Sequence, residues 1–249
     1  MNLEKYRASE REQLRTSDLL RLIPSRGLMA LDVGARDGYF SKLLADRFES
    51  VTALDLTLPT ITDERIQCVE GNLLHLMYAD KSFDFVLCAE VLEHIPSESL
   101  QQACRELSRV TNGSLLVGVP YKQDLRFHCT SCSTCGAINP PWGHVNSFDL
   151  NRLRALFNGF DDVEVSFVGS TKDVTNKLSA LLMSFAGNPF GTYDQEEPCM
   201  NCGNKLTPPE ERNISQRIAT RAAHWLTCTQ QYFSKPRANW IHILLRRRF

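Results

Sequence analysis

Short apolar runs alternate with amphipathic segments along the first half of the chain, and this alternation predicts strands connected by helices. The run LMALDVG at 28–34 is apolar throughout and stops at a glycine, which is typical of a parallel strand buried on both faces. The predicted strands lie at 28–34, 51–56, 65–70, 83–90 and 114–120, and the predicted helices at 39–48 and 97–110. This order predicts an α/β fold with a doubly wound, Rossmann-like parallel sheet.

The pattern breaks after the fifth strand and resumes twice. Residues 121–147 have no hydrophobic period, and 170–235 form an excursion too long for an ordinary loop. A helix beginning near Ser147 or Asp149, a sixth strand and a closing strand continue the α/β pattern. These elements lie at 147–157, 163–169 and 239–248, and the second excursion contains helices near 173–186 and 209–233. We therefore expect a single domain over 1–249 with insertions at 121–147 and 170–235.

The beginning of the sequence predicts an amphipathic helix over 1–24, with Leu14, Leu19 and Ile23 among its apolar contacts and Pro24 at its end. This segment lacks the apolar core of a secretion signal. No apolar run in the chain approaches the ~20 residues that a membrane-spanning helix needs. We therefore expect a cytoplasmic protein without a membrane partner.

Charge and cysteine content narrow the possible partners. The formal net charge of -1 gives no support for a nucleic-acid partner held mainly by phosphate contacts. The chain has nine cysteines, and disulfides rarely persist in a reducing cytoplasm. Clustered cysteines are therefore expected to be metal ligands or reactive thiols. Cys68, Cys88, Cys104 and Cys228 lie in apolar patterns and are expected to be core or half-buried residues.

The segment LDVGARDGYF indicates a ligand site at the turn that follows the first strand. Gly34 and Gly38 allow a tight turn and a close approach of ligand to backbone, and the following helix offers backbone N–H groups. Asp32 would repel a pyrophosphate, and the GxGxxG order of dinucleotide sites is absent. Asp55 ends the second strand, where an acid reaches a ribose diol. The two acids together favour a nucleoside that carries a positive charge.

The sequence Asp32-Val-Gly34-Ala-Arg-Asp-Gly38, followed by Asp55 and FDFVLCAEVLEHIP, resembles the class I S-adenosylmethionine-dependent methyltransferases, with a type 11-like methyltransferase domain. The resemblance covers about 28–170 and the closing strand. It implies a seven-stranded, mostly parallel sheet with an antiparallel last strand, and S-adenosyl-L-methionine as cofactor. The implied cofactor contacts are Asp32, Gly34, Gly38, Asp55, Asn72, Leu73 and Glu90. Two positions depart from the family pattern, because Arg36 replaces the middle glycine and Asn72 replaces an acid.

Methyl transfer needs alignment of donor and acceptor more than it needs a catalytic residue. A general base helps only when the acceptor is a hydroxyl or a protonated amine. The candidates near the carboxyl ends of strands four and five are His94, Asp124, His128 and His144. Of these, His94 and His144 are the two that we consider as general bases. We assign the role to none of them. The resemblance implies a small or medium-sized acceptor, such as a hydroxyl of a sugar or secondary metabolite.

The two insertions contain the same short motif, Cys132-x-x-Cys135-Gly and Cys199-x-x-Cys202-Gly. Two such motifs supply the four sulfurs of a closed, structural zinc site, which predicts a split zinc ribbon. A local set of Cys129, Cys132 and Cys135 with His128 or His144 is the alternative, and the absence of any metal is another. Because a four-thiolate zinc has no open position, we expect it to join the insertions into a lid over the acceptor.

Two other functions remain open at this point. The ribbon of an RNA or protein methyltransferase would serve as a substrate reader, although Asp194, Glu196 and Glu197 make a poor phosphate surface. A non-catalytic protein that retains the fold is the second alternative, supported by Arg36 and Asn72. The sequence leaves the oligomeric state open.

Overall fold

The computed structural model of the protein describes residues 7–248, which form two compact units. The sheet unit comprises 10–121, 148–169 and 239–248. The insert unit comprises 122–147 and 170–238, together with residues 7–9. The insert unit therefore covers nearly the same ranges as the two predicted insertions.

The sheet unit is built on a seven-stranded sheet. Its strands are β1 (Gly27–Val33), β2 (Phe48–Asp55), β3 (Ile66–Glu70), β4 (Phe83–Ala89), β5 (Thr111–Pro120), β8 (Phe160–Val168) and β9 (Trp240–Arg247). Their order in the sheet is β3-β2-β1-β4-β5-β9-β8. Pairs among β1 to β5 are parallel, whereas β9 runs antiparallel to both β5 and β8. The α/β, Rossmann-like fold with an antiparallel last strand is therefore confirmed.

Among the described residues, four α-helices belong to the sheet unit: α1 (Glu10–Leu22), α2 (Tyr39–Ala45), α3 (Leu100–Val110) and α4 (Leu150–Leu156), and a 3₁₀ helix spans Leu92–His94. The helix predicted from 147 begins at Leu150 because the Asp149 carboxylate accepts a hydrogen bond from Arg152 N at 2.9 Å. Asp149, and not Ser147, is thus the N-cap. β8 begins three residues before its predicted start at 163, since it pairs with β9 as far as Phe160 opposite Arg247.

The core of the sheet unit lies on both faces of the sheet, because neighbouring residues of a strand point to opposite sides. Leu31 and Val33 of β1 pack into one apolar cluster, and Ala30 packs into the other. Cys88 and Cys104 are fully buried and Cys68 is half-buried, as expected. Cys228, in contrast, is exposed.

Helix α1 buries a stripe that is only partly apolar. Leu19 and Ile23 are buried as expected, but Leu14 is 50% exposed, so its predicted apolar contact is wrong. The same stripe buries the polar residues Glu12 and Arg15. The first six residues of the helix predicted over 1–24 lie outside the described part of the chain.

The insert unit contains little sheet and two longer helices: β6 (Thr130–Ser131), β7 (Ile138–Asn139), α5 (Lys177–Phe185) and α6 (Ile214–Phe233). Both helices start later than predicted because asparagines cap them. Asn176 Oδ1 accepts from Ser179 N at 2.8 Å, and Asn213 forms a capping box with Gln216. Within 7–248, no helix is both long and apolar enough to cross a bilayer.

Candidate cofactor site and cysteine cluster

The turn between β1 and α2 adopts left-handed backbone at three positions. Gly34 and Gly38 have φ of 77°, and Arg36 has φ of 51°. A Cβ added to Gly38 would lie 2.2 Å from Ile61 Cδ1, and one added to Gly34 would lie 2.5 Å from Val91 Cγ2. Arg36 therefore keeps the conformation that glycine favours, and its departure from the family pattern leaves the turn intact.

Asp32 lies beneath this turn and is almost completely buried. Ser41 Oγ donates a hydrogen bond to Asp32 Oδ2 at 2.6 Å. Burial, together with the nearby charge of Asp55, raises the pKa of Asp32 to about 6 even though the Ser41 hydrogen bond opposes the shift. A carboxyl with this pKa ionises near neutral pH and attracts a ligand that carries a positive charge.

Asp55, at the end of β2, holds the turn from the neighbouring strand. Arg36 N donates to Asp55 Oδ2 at 2.8 Å. Gly34 N also donates to Leu54 O, at 2.8 Å. Because Asp32 pairs with Ala53 in the parallel β1–β2 register, the two acids stand at the same edge of the sheet. The structure therefore brings Asp32, Gly34, Gly38 and Asp55 together at one edge of the sheet.

The segment after β3 is attached to the same edge, since Gly71 N donates to Asp55 O at 2.8 Å. The exposed Asn72 uses Oδ1 to accept a hydrogen bond from Leu74 N at 2.8 Å, which forms a local turn. The side-chain amide N–H groups of Asn72 take no part in this hydrogen bond. The side chain of Leu73 is buried in the core, so only its backbone is available to a ligand.

Two carboxyl groups follow β4. Glu90 has φ of 58° and accepts a hydrogen bond from Trp240 Nε1 at 3.2 Å through Oε2. Its enclosed Oε1, and both carboxylate oxygens of the fully buried Glu93, have no hydrogen-bond partner among the described residues. Burial raises the pKa of both carboxyls, that of Glu93 well above its usual range. Buried polar atoms without a protein partner are places where a ligand or an ordered water completes the hydrogen bonding.

Arg15 of α1 is a site residue that the sequence interpretation missed. Its buried guanidinium donates to Glu12 Oε2 at 2.9 Å and lies over the rings of Phe40 and Trp240, at 5.7 and 6.0 Å from their centroids. Its charge acts to lower the pKa of Glu90 against the larger effect of burial. The sequence feature that indicates burial of Arg15 is its three-residue spacing from Glu12. The buried Leu19 and Leu22 have the same spacing on this helix.

The general-base candidates divide between the units. His94 belongs to the sheet unit, whereas Asp124, His128 and His144 belong to the insert unit. Burial opposes ionisation of Asp124, but the Arg126 guanidinium lowers its pKa and donates to it at 2.8 Å. Asp124 is therefore committed to an ion pair. His144 Nδ1 is hydrogen bonded to Gln123 Oε1 at 2.6 Å.

The four cysteines of the repeated motif form a cluster in the insert unit. The Sγ atoms of Cys132 and Cys202 are 3.6 Å apart, as are those of Cys135 and Cys199. All four sulfurs lie within 4.8 Å of one another. A tetrahedral zinc ion with Zn–S bonds of about 2.3 Å places its sulfurs about 3.8 Å apart, so this geometry fits zinc.

The two halves of the cluster have the same backbone structure. Gly136 N donates to Cys132 O at 2.9 Å, and Gly203 N donates to Cys199 O at 2.8 Å. Both glycines have φ of 73°, and open space surrounds the place of a Cβ at each. Glycine is therefore required here for the backbone conformation and not for space.

The cysteine thiols differ in pKa. Burial opposes ionisation of Cys199, but N–H groups of Cys202 and Asn201 lower its pKa to about 6. The Asn204 N–H acts to lower the pKa of Cys202, yet burial and the neighbouring cysteines raise it to about 11. The four sulfurs therefore need a cation before all can be thiolates.

Cys129 does not belong to the four-cysteine cluster. Its Sγ donates a weak hydrogen bond to Leu125 O at 3.2 Å, and burial raises its pKa to about 11. Neither His128 nor His144 is grouped with the four sulfurs among the described residues. The observed cluster is the four-cysteine set that the sequence predicts.

Part of the sheet unit matches a known protein family, and the chain has similar relatives. Residues 31–117 match the family model described as a methyltransferase domain. The chain is 30% identical over 196 residues to the ubiquinone biosynthesis O-methyltransferase of Albidiferax ferrireducens, which covers 64% of this chain and 78% of that protein. It is 31% identical over 98 residues to the enzyme of the same name from Paracidovorax citrulli, covering 34% of this chain and 41% of that relative.

A solved structure shows the same fold. The N-methyltransferase NodS from Bradyrhizobium japonicum, in complex with S-adenosyl-L-homocysteine, is 15% identical to the chain. The match covers 98% of this chain and 91% of that structure, with a TM-score of 0.54. At this identity the likeness concerns the fold alone.

Proposed function

Since the chain belongs to the S-adenosylmethionine-dependent methyltransferases, we propose that it transfers a methyl group to a hydroxyl of a small or medium-sized acceptor. The O-methyl transfer named for the Albidiferax relative supports oxygen as the accepting atom. A hydroxyl of a sugar or a secondary metabolite remains the expected acceptor class.

The observation that carries this proposal is the pair of carboxyls at the turn after β1. Asp32 and Asp55 end neighbouring strands, and Arg36 N joins the turn to Asp55. S-adenosyl-L-methionine supplies an activated methyl group on a positively charged sulfonium. Asp55 would bind the ribose hydroxyls, and ionised Asp32 would attract the positively charged end.

Two further side chains would contribute to binding of the methionine end. Arg15 is a buried cation that pairs with Glu12 and has further N–H donors for a carboxylate of the ligand. The partnerless Oε1 of Glu90 would accept a hydrogen bond from an ammonium group. Gly34 and Gly38 would let the ligand approach the backbone, and Asn72 would offer amide N–H groups beside the adenine.

The role of general base stays a proposal without an assigned residue. His94 and His144 remain candidates, whereas Asp124 is excluded as a free base by its ion pair with Arg126. An acceptor hydroxyl needs a group that removes its proton during transfer. Replacing each histidine by glutamine would show which of them is the base. Only replacement of the base should lower kcat without changing cofactor affinity.

For the cysteine cluster we propose one structural zinc ion bound by Cys132, Cys135, Cys199 and Cys202. Its support is the sulfur geometry and the matching hydrogen bonds of the two motifs. The zinc has no open coordination position, so it would order the insert unit and take no part in the chemistry. The prediction that the insert unit covers the acceptor, and the expected cytoplasmic location, remain predictions.

The test begins with calorimetry of the purified full chain and S-adenosyl-L-homocysteine. We expect one site per chain, with affinity lost in Asp55→Ala and retained in Asp46→Ala, which changes an exposed acid at the end of α2. Radiolabelled methyl transfer to phenolic, sugar, amine and RNA acceptors then identifies the class. Absence of cofactor binding by the parent chain would refute the proposal, and transfer to RNA alone would replace the small acceptor by a nucleic acid.

A further inference from the structure

The insert unit contains a cavity of its own, formed by α5, α6 and the chain around 126–129 and 190–191. Its volume is about 480 Å³. Small-molecule sites in proteins have volumes of roughly 300 to 1,000 Å³. Every residue that lines it belongs to the insert unit, whereas the cofactor-site residues described above belong to the sheet unit.

The walls of the cavity are mainly apolar and partly aromatic. Met183 of α5 and Phe190 contribute apolar surface, as does the small side chain of Ala180. The rings of Phe127 and His128 are stacked, with centroids 4.0 Å apart and planes at 19°. A stacked pair of flat rings at a cavity wall favours a ligand that also contains a flat ring.

The hydroxyl groups at the cavity already bind one another. Ser179 Oγ lies 2.5 Å from Thr227 Oγ1, and Thr175 Oγ1 lies 3.1 Å from the same atom. Ser179 Oγ also donates to Ala223 O at 2.7 Å. These contacts join α5 to α6 and reduce the hydrogen-bonding capacity left for a polar ligand.

The cavity offers little net charge to a ligand. Its arginine, Arg126, is paired with Asp124, at 2.8 Å between Nε and Oδ1. Burial lowers the pKa of His128, although Asp173 opposes this shift, so the imidazole is mainly neutral at neutral pH. Among the described residues, those that line the cavity include no carboxylate. A cation would therefore lose hydration there without gaining an opposite charge, and an anion would meet a guanidinium that is already paired with Asp124.

We propose that this cavity binds an uncharged, mainly apolar molecule that contains a flat aromatic ring. The inference goes beyond the proposed methyl transfer, because each contact that supports it lies within the insert unit. Cys129 and Cys228 line the cavity but are too far from the four-cysteine cluster to be grouped with it, so the site is distinct from the proposed zinc site.

The first measurement compares two probes that share their rings and differ in charge. N-phenyl-1-naphthylamine is neutral, and 8-anilino-1-naphthalenesulfonate adds one anionic group to the same framework. Titration of the zinc-replete full chain, followed by probe fluorescence, should give saturable binding of one neutral probe per chain. We expect the anionic probe to bind about tenfold more weakly or worse. Equal affinity for the two probes, or no saturable binding of the neutral one, would overturn the proposal.

The second measurement places the probe in the cavity by filling it. Ala180→Phe occupies the space beside Met183, and the milder Ala180→Leu serves if the phenylalanine variant does not fold. The matched control is Leu181→Phe, which changes the next residue of α5 on an exposed face, outside the cavity. We expect Ala180→Phe to weaken the neutral probe about tenfold or more, and Leu181→Phe to change it less than about twofold.

The readouts keep this proposal separate from the proposed function. Zinc content and circular dichroism check the folding of each variant, and S-adenosyl-L-homocysteine affinity reports on the sheet unit. Parental probe affinity in a folded Ala180 variant would refute the cavity site. Failure of the parent chain to bind S-adenosyl-L-homocysteine would count against the methyltransferase proposal and leave the probe result standing.

Discussion

The sheet unit and the insert unit reach defined structures by different means. The sheet unit buries an apolar cluster on each face of seven strands. Among the described residues, the cluster around the cysteines buries Cys132, Cys199 and Leu206, with Ala137 and Tyr193 partly buried against it. Meanwhile Leu181 and Trp225, on the helices of the insert unit, are 67% and 66% exposed. Hydrophobic burial can hold the first unit together, whereas we expect the second to depend more on its proposed metal site.

The largest expected effect is therefore on the insert unit when its metal site is removed. Zinc binding contributes roughly 10 to 16 kcal/mol in small zinc-dependent domains, so Cys199→Ser should abolish metal binding and unfold the region around the cluster. Hydrogen exchange should show lost protection in 129–140 and 197–206, with S-adenosyl-L-homocysteine binding retained. Cys228→Ser, at an exposed cysteine, is the control and should keep the metal.

Zinc content distinguishes the four-cysteine site from a site that includes Cys129. Cys129→Ser should retain a full equivalent of zinc, measured by inductively coupled plasma mass spectrometry, because Cys129 lies outside the cluster. Loss of zinc in this variant, or its retention in Cys199→Ser, would contradict the proposed ligand set.

The second effect belongs to the sheet unit and should leave the metal unchanged. Asp55→Ala removes the acceptor for Arg36 N and the expected partner of the ribose hydroxyls. Hydrogen bonds to a charged group contribute about 1.5 to 3 kcal/mol, so cofactor affinity should fall at least about tenfold in calorimetry. Unchanged affinity beside a normal zinc content would show that Asp55 is not a binding residue.

A smaller effect concerns pH. The pKa of Asp32 is raised from 3.8 to about 6 by burial, so its negative charge is lost as the pH falls through 6. S-adenosyl-L-homocysteine affinity should therefore weaken between about pH 7 and pH 5, at most about tenfold per pH unit. Calorimetry at constant ionic strength checks this, and Asp32→Asn should flatten the profile. A variant profile as steep as the parent's would assign the titration to Glu90 or Glu93 instead.

The effect of Asp32 on stability has the opposite sign. Between pH 3.8 and about 6 the folded chain retains a proton that the unfolded chain has released. Folding stability from this group is thus present in full below pH 3.8 and is lost as the pH rises through 6. Ionised Asp32 therefore favours ligand binding at high pH, whereas protonated Asp32 favours the ligand-free folded state at low pH.

The smallest expected effects are on stability, at two left-handed positions of the turn between β1 and α2. Gly38→Ala should destabilise the sheet unit by about 1 to 2 kcal/mol, because φ is 77° and the new Cβ meets Ile61. Arg36→Gly should change stability by less than about 1 kcal/mol, since relief of strain is offset by chain entropy. Urea unfolding measures both, with Gly159→Ala as a control in open space. A larger cost for Arg36→Gly would indicate that its side chain stabilises the turn.

Local chemistry explains which features the sequence could predict. The β1 turn and the cysteine motifs carry their conformational and chemical requirements within a few residues, so Asp32, Gly34 and Gly38 could be placed before the fold was known. The start of α4 depended on which of two neighbouring polar side chains reached the backbone. Its capping contact distinguishes Asp149 from Ser147, whereas propensity alone does not.

Other features could not be predicted because they depend on distant partners. Ile218 and Trp225 of α6 have the spacing of a buried stripe but are exposed, and the helix instead buries the small residues Ala219 and Ala223. Small side chains let α5 and α6 approach closely enough for Ser179 to bond Ala223 O. Arg15 acquired its role in the same way, through Trp240, which lies more than two hundred residues later.

The position of β9 has a consequence for how the protein is made. This strand is synthesised after all the others, yet it lies between β5 and β8 in the finished sheet. Until it emerges from the ribosome, β5 presents an unpaired edge and β8 has no neighbour in the sheet. Nascent chains are consequently exposed to mispairing throughout synthesis of 121–239, and the sheet is completed only when β9 pairs with β5 and β8.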